Sequence, residues 1–306
     1  MTVFSLGEAL VEFIRSAEGN LGEPGTFYGP FPSGAPAITA SAVSRVGGKS
    51  KFACVVGRDE FGKAFVDRMR SDGVDTSLIR TTDKRTTATS FLSYDGVKRN
   101  FLFHGKDSAA ALLKEGDVDL RGISALHVSG SSLGMGWGMA RAVRKAVRLA
   151  KEQDIPLFFD PNVRKELMSD ALRRELLSLC KASSYLMLSI EDAVELFGDA
   201  ESACASLSNE RVVILKMGKL GSKLFVKGEQ KAIKTPIVKE VDATGAGDWY
   251  NGAFLAMVEG GAKLDEAATF ASAAAAISVT KLSPMDGPSS KEEVLELMRA
   301  QHVERV

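Results

Sequence analysis

Two glycines at 245 and 247, with an aspartate at 248, are the residues of this 306-residue chain best suited to chemistry. They lie in Val241-Asp242-Ala243-Thr244-Gly245-Ala246-Gly247-Asp248, and Trp249–Glu259 after them reads as a helix. The opening amides of a helix have no intrahelical partner and carry the positive end of its dipole. Without side chains at Gly245 and Gly247, an anion can approach those amides closely, with Ala246 between them. Such a cradle suits the charge on a phosphoryl group in transfer. Asp248 beside it is expected to stay ionised and to take a proton from an alcohol. A glycine-rich turn with Asp248 as a plain helix cap is the competing reading; the preceding strand and Asp242 weaken it. Arg164 follows a strand end, where α/β folds place ligands, and its planar fork suits a carboxylate or phosphate; a surface ion pair is the alternative. Lys216, Gly218 and Gly221 close a strand in a turn that either meets a phosphate or is a simple hairpin. Gly34 opens a helix, as a cap or as backbone for a sugar hydroxyl. Glu8 ends the first strand, facing either substrate or water. Asn100, Leu102 and His104 share one strand face; there His104 is a hydrogen-bonding contact or a solvated edge residue. His127 falls in an apolar strand and reads as a core residue.

The run DATGAGDWYNGAF resembles the C-terminal signature of the ribokinase-like (PfkB) carbohydrate kinases. Ser33–Ala37 with Gly47-Gly48 resembles the N-terminal signature, and Val56–Asp59 with Phe61-Gly62 follows at the usual distance. Asp160-Pro161-Asn162-Val163-Arg164, Leu188–Asp192 and Lys216–Gly221 are similar to elements of the fructokinase and 2-keto-3-deoxygluconate kinase branch. The resemblance implies a three-layer α/β/α core spanning 1–306 as one domain, with a small β lid from about 12–32 and 84–106. It implies ATP and magnesium, with Asp248 as base and Gly245–Gly247 as anion hole. It adds Asn162, Arg164, Lys216, Gly218, Gly221 and Ser272 on the nucleotide side, and Glu8, Gly34, Leu102, His104 and Arg164 around the sugar. It leaves room for a monovalent cation near Asp242 and Ser283–Gly287, though no metal-ligand set is read from the sequence. It implies pairing of two copies through their lids. 2-Keto-3-deoxygluconate is the expected acceptor, with fructose second. A regulatory protein that binds sugar and nucleotide without turnover is the alternative of another class.

The chain departs from the family where sugars are read. Ser33 replaces a glycine, Ile38 an asparagine, and Leu102-Phe103-His104 stands where an aromatic pair and an arginine are usual. Two other glycine motifs fail on their own terms. Gly57–Lys63 is followed by Ala64, without the magnesium-binding hydroxyl of a P-loop, and Gly134–Gly138 lacks dinucleotide-binding spacing.

Positioning such residues requires alternating strands and helices, and the chain supplies them. Strand-like runs at Val3–Leu6, Lys51–Val56, Leu126–Val128, Pro156–Phe159, Tyr185–Leu188 and Arg211–Lys216 alternate with amphipathic stretches. That order predicts a parallel sheet covered on both faces. Thr26–Phe31 and Thr86–Phe103 break the order with period-two patterns, and Tyr94-Asp95-Gly96-Val97 reads as a hairpin turn. An all-antiparallel small sheet is expected from them. Thirty-nine basic and 39 acidic residues balance, which argues against a non-specific nucleic-acid binder. No apolar run reaches membrane-spanning length, and the N-terminus lacks signal-peptide features. Three cysteines and three histidines are too few and scattered for a disulfide framework or a multi-histidine metal centre. A cytoplasmic setting is the expectation.

Overall fold

The computed structural model describes residues 1–96, 98–164 and 168–303. In chain order the strands are β1 (Val3–Leu6), β2 (Leu10–Arg15), β3 (Phe27–Ser33), β4 (Ser50–Gly57), β5 (Asp75–Thr82), β6 (Ala88–Asp95), β7 (Lys98–His104), β8 (Ala125–Ser129), β9 (Leu157–Asp160), β10 (Tyr185–Ser189), β11 (Val212–Lys216), β12 (Ser222–Val226) and β13 (Glu229–Ile233). The helices are α1 (Ala35–Arg45), α2 (Glu60–Ser71), α3 (Trp137–Glu152), α4 (Asp170–Ala182), α5 (Ile190–Phe197), α6 (Ala200–Leu207), α7 (Ala246–Glu259), α8 (Leu264–Ser278) and α9 (Lys291–Val303).

The main sheet runs β13-β12-β11-β10-β9-β8-β1-β4-β5. From β11 to β5 every neighbouring pair is parallel, while β12 and β13 add an antiparallel edge. Helices cover both faces. Phe4, Leu6, Leu126, Phe159 and Leu188 meet α3 to α6 on one side. Phe158, Met187 and Ile214 meet α7 to α9 on the other, where Phe52, Cys54 and Val56 pack on α1 and α2. Burial on both faces explains the continuous apolar runs in these strands.

The strand order reverses between β1 and β8: β4 and β5 extend one way, β9 to β11 the other. Open α/β sheets bind ligands at such a switch, beyond the carboxyl ends of the strands. Glu8 follows β1 there, Ser131 follows β8, Asp160 ends β9 and Lys216 ends β11.

A second sheet runs β3-β2-β6-β7. The outer pairs are antiparallel, but β2 and β6 are parallel, which corrects the all-antiparallel expectation. The reason is topological. β2 leaves the core directly after β1, and β6 directly after β5. Both emerge from the same edge of a parallel sheet, so side by side they point the same way. Asp95 pairs with Lys98 across the expected hairpin; Val97, in its turn, lies outside the described residues.

Helix α6 and the edge strands β12 and β13 were not expected from the sequence, nor was α8, an alanine-rich helix buried on nearly every side. Uniform small residues give no amphipathic stripe to read.

Candidate active site

Helix α7 begins at Gly245, which has φ +81°, a conformation few side chains tolerate. A Cβ there would also lie 2.8 Å from the Pro284 carbonyl and 3.3 Å from Ile38 Cδ1. Ile38 is 2% exposed and packs against the Gly245 turn, in a cluster that includes Trp249 and Met285. Trp249 Nε1 donates to the Pro284 carbonyl at 3.1 Å, tying that loop to α7.

Asp248 lies in the first turn of α7. Its carboxyl is pushed up to about 8, first by burial and next by the negative charge of Asp160. Glu8 adds to the rise; Lys216 and Arg164 oppose it. This corrects the expectation of a permanently ionised carboxylate: the helix dipole is outweighed by desolvation and a like charge.

Asp160 and Lys216 form the floor. Lys216 Nζ donates to Asp160 Oδ2 at 2.8 Å and to Asn251 Oδ1 at 3.1 Å, while Asn251 Nδ2 donates to the same aspartate oxygen. The ammonium lies 3.5 Å from where a Cβ of Gly247 would stand, so it borders the anion hole. Asn251 is one helical turn beyond Asp248 and shares its face; that spacing was the available signal, and it was missed. Asp192, also missed, caps α5 through Ser189 and accepts the Val163 amide. Burial and Asp160 raise its carboxyl.

At the switch point Glu8 is buried, 4% exposed, and accepts from Ser131 Oγ at 2.8 Å and from Ser132 Oγ. Burial raises its carboxyl against those two hydrogen bonds. Gly34, φ +122°, caps α1 against the Glu8 carbonyl. A cavity of about 840 Å³ opens here, lined by Glu8, Ser131, Arg164, Phe101, Leu102 and His104 among others. Arg164 stands 5.9 Å over the Phe101 ring.

The lid contacts divide between two faces. Leu102 and His104 line the cavity, but on the face that carries Phe91, whose ring lies 6.3 Å from His104. Phe101 and Phe103 stack on the other face, towards Arg164 and the core. Alternation was read correctly, yet the rings meeting Arg164 belong to the unexpected parity.

On the nucleotide side, Gly218 and Gly221 bracket the β11–β12 hairpin, and a Cβ on Gly221 would overlap the Ile233 carbonyl. Leu220 between them is 69% exposed. Asn162 has φ +39° and donates its amide to Asp160 Oδ1 at 3.1 Å. Ser272 is 3% exposed inside α8, so a base would reach little of its hydroxyl. His127 is buried as expected, with Nδ1 bonded to Ser5 Oγ at 2.9 Å and Nε2 without a hydrogen-bond partner among the described residues. Burial pulls it down to about 4. The false P-loop is a strand end and helix start, with Asp59 capping α2 through the Gly62 amide. No helix is long and apolar enough to cross a membrane among the described residues.

Comparison with known proteins bears on this geometry. The model of the pfkB family carbohydrate kinases matches residues 2–291. "Probable fructokinase-4" of Arabidopsis thaliana is 30% identical, over 97% of this chain and 96% of that protein. Fructokinase-2 of Oryza sativa subsp. japonica is 33% identical over 91% and 88%. An E. coli protein provisionally named Ribokinase II, solved with ATP and Mg²⁺, is 34% identical, with a TM-score of 0.91 over 98% of this chain and 99% of that one.

The raised Asp248 carboxyl has a consequence for stability. Its folded pKa, about 8, exceeds the ordinary 3.8, so the folded state binds the proton more tightly and stability is lost as pH rises from about 4 to 8. Asp248→Asn removes that loss. Thermal unfolding should show the variant gaining on the wild type by a few degrees at pH 8 and by less at pH 4.5. An equal gain at both pH values would contradict the raised carboxyl.

Proposed function

Because the chain belongs to the pfkB family of carbohydrate kinases, we propose that it transfers the γ-phosphate of ATP to a hydroxyl of a ketohexose, with fructose the favoured acceptor. The observation that carries this reading is Asp248 in the first turn of α7, directly after Gly245–Gly247, with its carboxyl feeling the charges of Asp160, Lys216, Arg164 and Glu8. The acceptor lies in the cavity beneath the lid, its hydroxyl towards Asp248. Glu8, held by Ser131 and Ser132, accepts from a second hydroxyl. Asp248 takes the proton as the alcohol oxygen attacks the γ-phosphorus, and the bond to the β-phosphate oxygen breaks. The amides at the start of α7 and the Lys216 ammonium face the charge that develops. The turn at Gly218–Gly221 carries Leu220 as an apolar face for the base.

Mg²⁺, bound in the E. coli relative, neutralises phosphate oxygens when present. Among the described residues no cluster of three acidic, histidine or cysteine side chains forms a protein cage. That fits an ion held mainly by phosphates and water, and Asp160 and Asp192 are the carboxylates that would steady it. Asp242 fits a monovalent cation: its Oδ2 is buried and has no hydrogen-bond partner among the described residues. Carbonyls of Ser283–Gly287 would complete that site.

The sequence placed 2-keto-3-deoxygluconate before fructose; relatives named as fructokinases support the reverse order. Arg164 keeps the sugar acid as the second reading, since its guanidinium at the cavity wall suits a carboxylate. The lid's Phe91 face, where Phe13 and Phe27 pack on Phe91 and Leu102 is 46% exposed, would be covered by a second copy.

Coupled ADP release with fructose, 2-keto-3-deoxygluconate and ribose tests the acceptor. Fructose should give the highest kcat/KM; a tenfold lead for the sugar acid would reverse the order, and no turnover with any would favour a sensor. Asp248→Asn should lower kcat by at least about a hundredfold. The base must be deprotonated, so kcat/KM should climb through pH 6 to 8 and then level; a flat profile rules Asp248 out as base. For the lid, light scattering should give a dimer mass, and Leu102→Asp a monomer.

A further inference from the structure

The lid touches the phosphate-binding turn at one side chain that the mechanism above does not use. Tyr94, near the end of β6, donates its hydroxyl to Asp242 Oδ1 at 3.0 Å, across 148 residues of chain. The same oxygen accepts from the Thr244 amide at 3.0 Å and from Thr244 Oγ1 at 2.8 Å. Three donors thus fix one carboxylate oxygen. Thr244 is the residue before Gly245, so the bonded group is the lead-in to the anion hole. Asp242 is buried, 5% exposed, and its Oδ2 has no donor among the described residues.

Tyr94 is itself held from behind. Its carbonyl accepts the Gly19 amide at 2.9 Å. The segment containing Gly19 is gathered by Arg15, which donates to the carbonyls of Asn20, Glu23 and Pro24. The phenol is therefore presented by a braced backbone.

We propose that Tyr94 is a positioning residue: through its bond to Asp242, seating the lid and setting the Thr244–Gly247 turn become one event. The lid then reports closure to the phosphate site directly, besides covering the acceptor. The proposal rests on the reading of that turn as the nucleotide-phosphate site.

Tyr94→Phe removes only the hydroxyl, and Ser93→Ala, at the buried neighbouring position, serves as control. Two measurements on the full chain decide the matter: hydrogen exchange without ligand, and calorimetric binding of Mg²⁺ with the non-hydrolysable AMP-PNP. The phenylalanine variant should exchange faster in residues 88–95 and also in 242–248. Its AMP-PNP affinity should fall about two- to tenfold, the scale of one hydrogen bond. Ser93→Ala should leave both 242–248 and the affinity unchanged. Faster exchange confined to the lid, or wild-type affinity in Tyr94→Phe, overturns the proposal. Failure of the wild type to bind AMP-PNP would instead strike the nucleotide reading, and exchange at 242–248 would still decide the role of Tyr94.

Discussion

Lys216 is held in an ion pair with the buried carboxylate of Asp160, and the charge balance around Asp248 depends on that pairing. Its bond to Asp160 is 2.8 Å long, with the side chains 12% and 4% exposed. Breaking a pair so shielded leaves an uncompensated buried charge, at a penalty of about 3–5 kcal/mol. The consequence is larger than stability. Asp160 raises the Asp248 carboxyl and Lys216 lowers it. The pair thus sets the Asp248 carboxyl from two sides: without the lysine it would be harder to ionise, and without the aspartate it would ionise at lower pH. Asn251, bonded to both members, fixes their spacing from the same helix that carries Asp248.

How much of this was legible depends on range. The anion hole and its base form one contiguous segment, strand to turn to helix, and local physics suffices to read it. The parallel core was legible for the same reason, because both-face burial writes itself as short apolar runs. The Asp160–Lys216–Asn251 floor joins residues 35 to 91 positions apart, and no periodicity announces it. The Tyr94–Asp242 bond is longer still in sequence. The parallel pairing of β2 and β6 was misread because alternation reports a half-buried strand and carries no information on its direction.

Ile38 shows why substituted positions are poor guides to lost function. From sequence, an apolar residue at an expected sugar contact suggests a degraded site. In the fold, Ile38 Cδ1 abuts Gly245 from below, in a cluster that includes Trp249 and Met285. The α1 and α7 helices meet at this point, with Thr39 Oγ1 donating to the Asp248 carbonyl at 3.4 Å. A branched hydrocarbon at 38, with few rotamers, packs the turn from which α7 starts.

Glu8, Arg164 and the rings of Phe101 and Phe103 line one cavity, and they come from different kinds of element. Glu8 is anchored by two serines at the switch point, on rigid strand ends, whereas Phe101 and Phe103 ride on β7, the edge strand of the smaller sheet. Arg164 joins the halves, lying over Phe101 while its charge acts on both Glu8 and Asp248. One guanidinium therefore meets the smaller sheet while its charge is felt by two carboxyls of the core.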